Sequence, residues 1–274
     1  VIVKLFTCLH FLMNTSSIFY ECLSNKDPSI QKSIEDIKNY TIQQLVLTSF
    51  ISKDAPKTFH QFEQQAPPFI RNSIKEIKTE ILGSLLLKQS DVTSEHGFSI
   101  ESIPEMNEIY VSVIHGRGSD KIFETPHIDG PFGVLPYCYV YRCVVGISKN
   151  TTISTSFPNK GISYVLDRGD WVAFDYNREK HHITVSKDFS NEGATEGATN
   201  EERVVIKLHY IMFPHRLPLQ VVSVYKQLHI FYNSTMRWLF VLSQIPSNNR
   251  NPLRNILAGI ICMGSWLYQN LWRG

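Results

Sequence analysis

Thr125-Pro126-His127-Ile128-Asp129-Gly130 is the stretch on which the reading of this chain turns. In an extended segment the side chains at i and i+2 point to the same face, so His127 and Asp129 converge. An imidazole nitrogen and a carboxylate oxygen placed this way are two corners of a metal site. A third ligand from a distant strand completes a two-His-one-carboxylate facial set, which suits Fe(II) and leaves positions open for substrate and O2. The tripeptide alone carries little, because a chain with 10 His and 25 acidic residues produces one H-x-D close to chance. Its weight depends on what the neighbouring segments supply.

Outward from this stretch the sequence has the period of short strands. EIYVSVIH (108–115) is β-branched and aromatic, and GRGSDK after it is a turn. Downstream, YVYRCVVGIS (139–148), TTISTSF (151–157), GISYVL (161–166) and DWVAFDY (170–176) are separated by Asn, Pro and Gly signals. Several short strands at this spacing predict an all-β sandwich or barrel, not a doubly wound sheet. Residues 187–202, with a tandem Glu-Gly-Ala-Thr and no apolar anchor, read as a mobile surface loop. RVVIKLHYIMF (203–213) returns as a long strand halted by Pro214.

The flanks read differently. From residue 15 to about 90 the pattern is helical, with Asp27 placed to cap a helix whose stripe is Ile30, Ile34, Ile37, Ile42, Leu45 and Leu47. FHQFEQQAPPF breaks it at Pro67-Pro68, and a second stripe follows through Ile70, Ile74, Ile77, Ile81 and Leu85. QSDVTSEHGFSIESIPEM (89–106) reads as a polar connector. After Pro218 the period is helical again, through 219–245 and, past SNNRNP, through 253–272. The division expected is a helical region (1–99), a β domain (100–216) and a helical, apolar extension (217–274).

Composition narrows the classes. The 274 residues hold one large domain with extensions or two small ones. With 27 basic against 25 acidic residues and no dense Lys/Arg run, nucleic acid is not the expected partner. Five scattered cysteines without C-x-x-C spacing indicate neither a zinc ribbon nor a disulfide framework, and Cys138 and Cys143 read as buried small apolar residues. A start at Val1 without Met suggests a fragment or processed product. Residues 1–13 are apolar but too short for a bilayer span, and read as a docking helix or the remnant of a signal or anchor. The apolar 256–272 stretch reads as a packed or dimerising helix, with membrane-surface contact and a membrane span as its other readings. The compartment stays open between a membrane-associated or endomembrane setting and a soluble one.

A third metal ligand is expected from GDWVAFDYNREKHHI. His181 and His182 lie 54 and 55 residues after His127, and in a strand only one of two neighbours faces inward. An iron site that activates O2 also needs an electron donor. The common one, 2-oxoglutarate, chelates the metal at one end and requires a cation at the other. Arg203, Val205, Lys207 and His209 share one strand face, and a planar guanidinium takes a carboxylate bidentately, which favours Arg203 over Lys207.

In order, H-x-D, Y-R-C-V-V-G, G-D-W-V-A-F-D-Y-N-R-E-K-H and R-V-V-I-K-L-H-Y-I-M-F-P resemble the Fe(II)/2-oxoglutarate-dependent oxygenases. Within them the chain looks most like the aspartyl/asparaginyl β-hydroxylase-like branch. The resemblance covers about residues 108–215 and implies a double-stranded β-helix, a jelly-roll or cupin-like core flanked by N- and C-terminal α-helices. It implies His127, Asp129 and His181 as metal ligands with His182 as the alternative, and Arg203 as the oxoglutarate anchor with Lys207 as the alternative. It also implies a contact of Arg142 with substrate or cosubstrate. A structural ion pair of Arg142 with Asp175 is the other reading of that residue. Asp129 departs from the branch, whose hydroxylases often lack the carboxylate ligand. The expected activity is oxoglutarate-dependent hydroxylation of a protein or peptide side chain, or of a small or lipid molecule. The alternatives are a cupin-like metal-binding protein without oxoglutarate, and a membrane-associated interaction protein with a degenerate oxygenase fold.

Overall fold

The computed structural model describes residues 18–23, 27–49, 58–88, 97–112, 126–133, 138–151, 153–185 and 203–244. The apolar stretches 1–13 and 256–272, His115 and the 187–202 loop lie outside the described residues. In chain order the elements are β1 (Phe19–Cys22), α1 (Pro28–Ser49), β2 (Thr58–Phe62), α2 (Pro68–Lys88), β3 (Phe98–Ser102), β4 (Glu108–Ser112), β5 (Tyr139–Gly146), β6 (Ile153–Phe157), β7 (Ile162–Val165), β8 (Asp170–Asp175), β9 (His182–Val185), β10 (Arg203–Pro214) and α3 (Leu219–Gln244).

One hairpin organises the strands. Its tip is the antiparallel pair β6–β7, followed outward by β5–β8, the isolated bridge His127–His181 that leads into β9, and β4–β10. Successive rungs fall in alternate sheets. The larger sheet runs β1-β8-β5-β10-β4-β2 with β3 beside β10, and the smaller runs β7-β6-β9. A long hairpin coiled so that its rungs alternate between two sheets is a double-stranded β-helix, the architecture the sequence order implies. That winding brings His127 beside His181 across 54 residues of chain.

Both faces of the larger sheet are covered. Between the sheets lie Tyr110, Val144, Val172, Phe174 and Val205 with Phe157 of β6. On the outer face, Cys143, Val145, Trp171, Val204, Ile206, Leu208 and Tyr210 pack against the stripes of α1 and α2. The α2 stripe Ile70, Ile74, Ile77, Ile81 and Leu85 is wholly buried. On α1 the burial holds for Ile30, Ile34 and Ile37, whereas Ile42 is exposed. Asp27 caps α1 as expected, its Oδ1 accepting from the Ser29 amide at 2.9 Å. At a third surface α3 lays Val222 and Tyr225 against Ile103, Met106, Val140, Ile211 and Phe213. No described helix is long and apolar enough to cross a membrane.

The N-terminal flank is not purely helical. Phe19–Cys22 and Thr58–Phe62 are edge strands of the larger sheet, paired with β8 and β4, and the expected connector contains β3, paired with β10. Each is four or five residues long, and Thr58–Phe62 sits inside a glutamine-rich segment that carries no strand alternation of its own. Pairing with a preformed sheet supplies what their local sequence does not.

The interior of the larger sheet holds a charged group that fixes α3. Glu108 on β4 is 2 % exposed and pairs with Lys207 Nζ at 3.1 Å and with Arg237 of α3. Breaking such a buried pair leaves uncompensated charges and costs about 3–5 kcal/mol. Glu108→Ala is expected to lower unfolding stability by that amount, read as a lower urea midpoint at unchanged slope.

Candidate metal centre

The site begins with backbone geometry. The His127 amide donates to the His181 carbonyl at 2.9 Å and the His181 amide returns the bond to the His127 carbonyl at 2.9 Å. In an antiparallel ladder two residues that exchange both bonds carry their side chains on the same face. The two rings accordingly lie 4.6 Å apart, centroid to centroid. Asp129, two residues on, shares that face. Its Oδ1 is 3.8 Å from His127 Nε2 and its Oδ2 is 3.3 Å from His181 Nε2. One donor atom from each of the three residues lies within 4.8 Å of the others.

The loop bearing His127 and Asp129 is stitched to the β8–β9 turn. The Gly130 amide donates to the Tyr176 carbonyl at 2.9 Å, the Phe132 amide to Asn177 Oδ1 at 3.3 Å, and Arg178 Nε to the Gly133 carbonyl at 3.0 Å. Gly130 has no room for a side chain: a Cβ there would stand 2.2 Å from Asn177 Oδ1 and 2.4 Å from the Tyr176 ring. From α3, His229 Nε2 is 2.9 Å from Asn177 Nδ2, and the His229 ring meets Phe132 edge to face. The same loop is thus held from the sheet and from the C-terminal helix.

Electrostatics keep the donors in their ligating forms. Burial lowers the His181 pKa to about 3, against the pull of Asp129, so this imidazole is neutral near pH 7. Its Nδ1 lies 3.4 Å from the Glu179 carbonyl, and Phe174 packs on the ring at 4.5 Å. Burial pushes the Asp129 carboxyl upward, but Arg142, His181 and His127 outweigh it and hold the group well below the usual carboxylate range. Two imidazoles and an ionised carboxylate on one face, with one of the imidazoles held neutral, are a donor set that a divalent metal fits.

The structure brings His181 to Asp129, while His182 is registered against Ser156 of β6 and by alternation takes the opposite face. Arg142 of β5 pairs with Asp129 Oδ2 at 2.6 Å and does not pair with Asp175, whose partner is Arg178 at 2.8 Å. Lys207 pairs with Glu108. Arg203 is 5 % exposed, reaches across to Thr155 Oγ1 of the smaller sheet at 3.5 Å, and has no carboxylate partner among the described residues. Among the described residues its Nε is buried without a hydrogen-bond partner, and burial lowers its pKa to about 10. Tyr176 and His229 carried no sequence signal, and the contacts of Gly130 and His209 at the site become visible only across 45 residues or more of chain.

No family model and no curated protein sequence matches this chain. Similar solved structures include a prolyl hydroxylase from Trichoplax adhaerens, in complex with a hypoxia inducible factor oxygen degradation domain peptide fragment. It is 13 % identical, with 78 % of this chain and 90 % of that one covered, at a TM-score of 0.45. A truncated viral collagen prolyl hydroxylase from Paramecium bursaria Chlorella virus-1 is 13 % identical over 71 % of this chain and 90 % of that one, at a TM-score of 0.40. HygX from Streptomyces hygroscopicus, with nickel and 2-oxoglutarate bound, is 11 % identical over 76 % and 87 %, at a TM-score of 0.35. The chemistry open to this chain follows from its own residues: a His-Asp-His donor set and a buried guanidinium held inside one β-helix.

Proposed function

We propose that this chain is an Fe(II)- and 2-oxoglutarate-dependent oxygenase that hydroxylates a C–H bond of a protein or peptide side chain or of a small molecule. The observation that carries the reading is the convergence of His127, Asp129 and His181 on one face of the β-helix, two imidazoles and one carboxylate with donor atoms within 4.8 Å. That set holds a metal on one side and leaves its other positions open, whereas a structural metal site would close them.

Arg203 supports the cosubstrate. An ionised group taken from water without a partner costs several kcal/mol, so a buried guanidinium without a carboxylate is a standing receptor for one. Lys207, the other candidate anchor, is already neutralised by Glu108 at 3.1 Å. Arg203 would take the distal carboxylate of oxoglutarate in its planar fork, with Thr155 beside it. Bound iron and oxoglutarate would supply activation of O2, with decarboxylation of the cosubstrate to succinate and CO2 driving C–H hydroxylation. The protein's share is to hold the ligands, neutralise the cosubstrate's charge and keep water out with the Phe157 and Phe174 wall against His181.

Protein loaded anaerobically with Fe(II) tests this. A metal-to-ligand charge-transfer band is expected on adding oxoglutarate and is expected to be absent in Arg203→Ala. Iron binding without a band would favour a cupin-like metal protein, and no iron binding at all a degenerate fold. Oxoglutarate turnover against pools of peptides and small molecules then separates the substrate classes.

A further inference from the structure

Arg142 is a cation in direct contact with the donor set, and its own surroundings are specific. Its Nη1 lies 2.6 Å from Asp129 Oδ2, its Nε donates to His209 Nε2 at 3.0 Å, and its guanidinium carbon stands 4.7 Å over the Tyr176 ring. Arg142 and His209 face each other as register partners on β5 and β10. His209 is wholly buried, and among the described residues its Nδ1 has no hydrogen-bond partner. Leaving a buried ring nitrogen unsatisfied is unfavourable. Among the described residues the side-chain hydrogen bond of this imidazole is to the guanidinium, so its polar function is spent on orienting Arg142. Tyr176 does the same from the other side and also receives the Gly130 amide next to Asp129.

We propose that Arg142, fixed by His209 and Tyr176, is a positioning residue that occupies Asp129 Oδ2 and so makes Asp129 a one-oxygen ligand, with Oδ1 left for the metal. The inference rests on the metal reading above and departs from the expectation that Arg142 meets substrate or cosubstrate directly. Two opposed effects decide its sign. A guanidinium beside the site repels a divalent cation, which favours tighter metal binding when it is removed. Orientation of the carboxylate works the other way, and loss of a partner that orients a metal ligand typically weakens binding about 10–100-fold. Orientation is expected to dominate, because the guanidinium stands against Asp129, His209 and Tyr176 together, with its Nη1 2.6 Å from Asp129 Oδ2.

The test uses Mn(II) binding by calorimetry on the whole chain, in five proteins. Arg142→Gln removes charge and fork together and is expected to weaken Mn(II) binding about 10–100-fold. His209→Leu keeps the guanidinium charge but removes its orienting bond, and is expected to weaken binding in the same direction. Circular dichroism and thermal melting of the metal-free variants establish that both are folded, and Arg142→Lys, which restores charge without the fork, is expected to remain weak. Tighter or unchanged binding in Arg142→Gln, or wild-type binding in His209→Leu, overturns the proposal. If wild type binds no Mn(II), the metal reading itself fails, and this inference with it. If wild type binds and Asp129→Ala does not, while the Arg142 and His209 variants match wild type, the metal reading stands and the positioning role is wrong.

Discussion

His181→Ala is expected to lose more than about 100-fold in metal affinity, while His182→Ala retains it. The two residues are neighbours with the same chemistry, so composition and packing volume are matched and only direction differs. His181 exchanges backbone bonds with His127, lies 3.3 Å from Asp129 Oδ2 and is kept neutral by burial. His182 starts β9 in register with Ser156. Loss of a partner that merely orients a ligand costs about 10–100-fold, so loss of the ligand itself sets the floor at the upper end of that range. Metal retained after equilibrium dialysis is the measurement. Loss in His182→Ala alone would mean that the strand is registered one residue out, which moves every side chain of β9 to the other face.

What the sequence makes legible is what repeats locally. The α2 stripe is readable because a helix buried on one face shows its period, and every position of that stripe is buried. H-x-D is readable because two residues apart on an extended segment share a face. The edge strands are not, because four or five residues carry too few alternations to compete with a neighbouring helical pattern. Nor does alternation mark the central strands: β5 is buried at all eight positions, since helices cover one face of its sheet and the second sheet the other.

Partners of charged residues are the other illegible class. For Arg142 the sequence offers Asp175, but adjacency of strands does not choose among carboxylates, and the loop stitched to Tyr176 and Asn177 brings Asp129 closer. For Lys207 and Arg203 the sequence ranks Arg203 first by its planar fork but gives no partner for either. Laying β4 against β10 places Glu108 opposite Lys207 and Ser112 opposite Arg203.

The metal-free protein is expected to lose stability as pH falls below about 6.5. Four imidazoles contribute: burial holds His181 at about 3, burial together with Arg142 lowers His209, burial together with Arg237 lowers His60, and burial lowers His229. In the unfolded chain each titrates near 6.5. Below that pH the unfolded state binds protons that the folded state refuses, so stability falls as pH falls, by about 1.4 kcal/mol per unit for each histidine. Asp129 adds its loss only below the unfolded carboxylate value near 4, because its folded pKa is depressed. Asp175 opposes the trend, since burial raises its pKa and its protonation relieves a cost of the folded state. Urea midpoints at pH 7.5, 6 and 5 measure the slope, and His209→Leu is expected to reduce it. A midpoint that does not move with pH would mean that these imidazoles titrate in the fold as they do in the unfolded chain, so that burial does not hold His181 neutral. Saturating Mn(II) is expected to raise stability at pH 7.5 by mass action, and the proton competes with the metal for the His181 ring only as pH approaches the folded value of about 3.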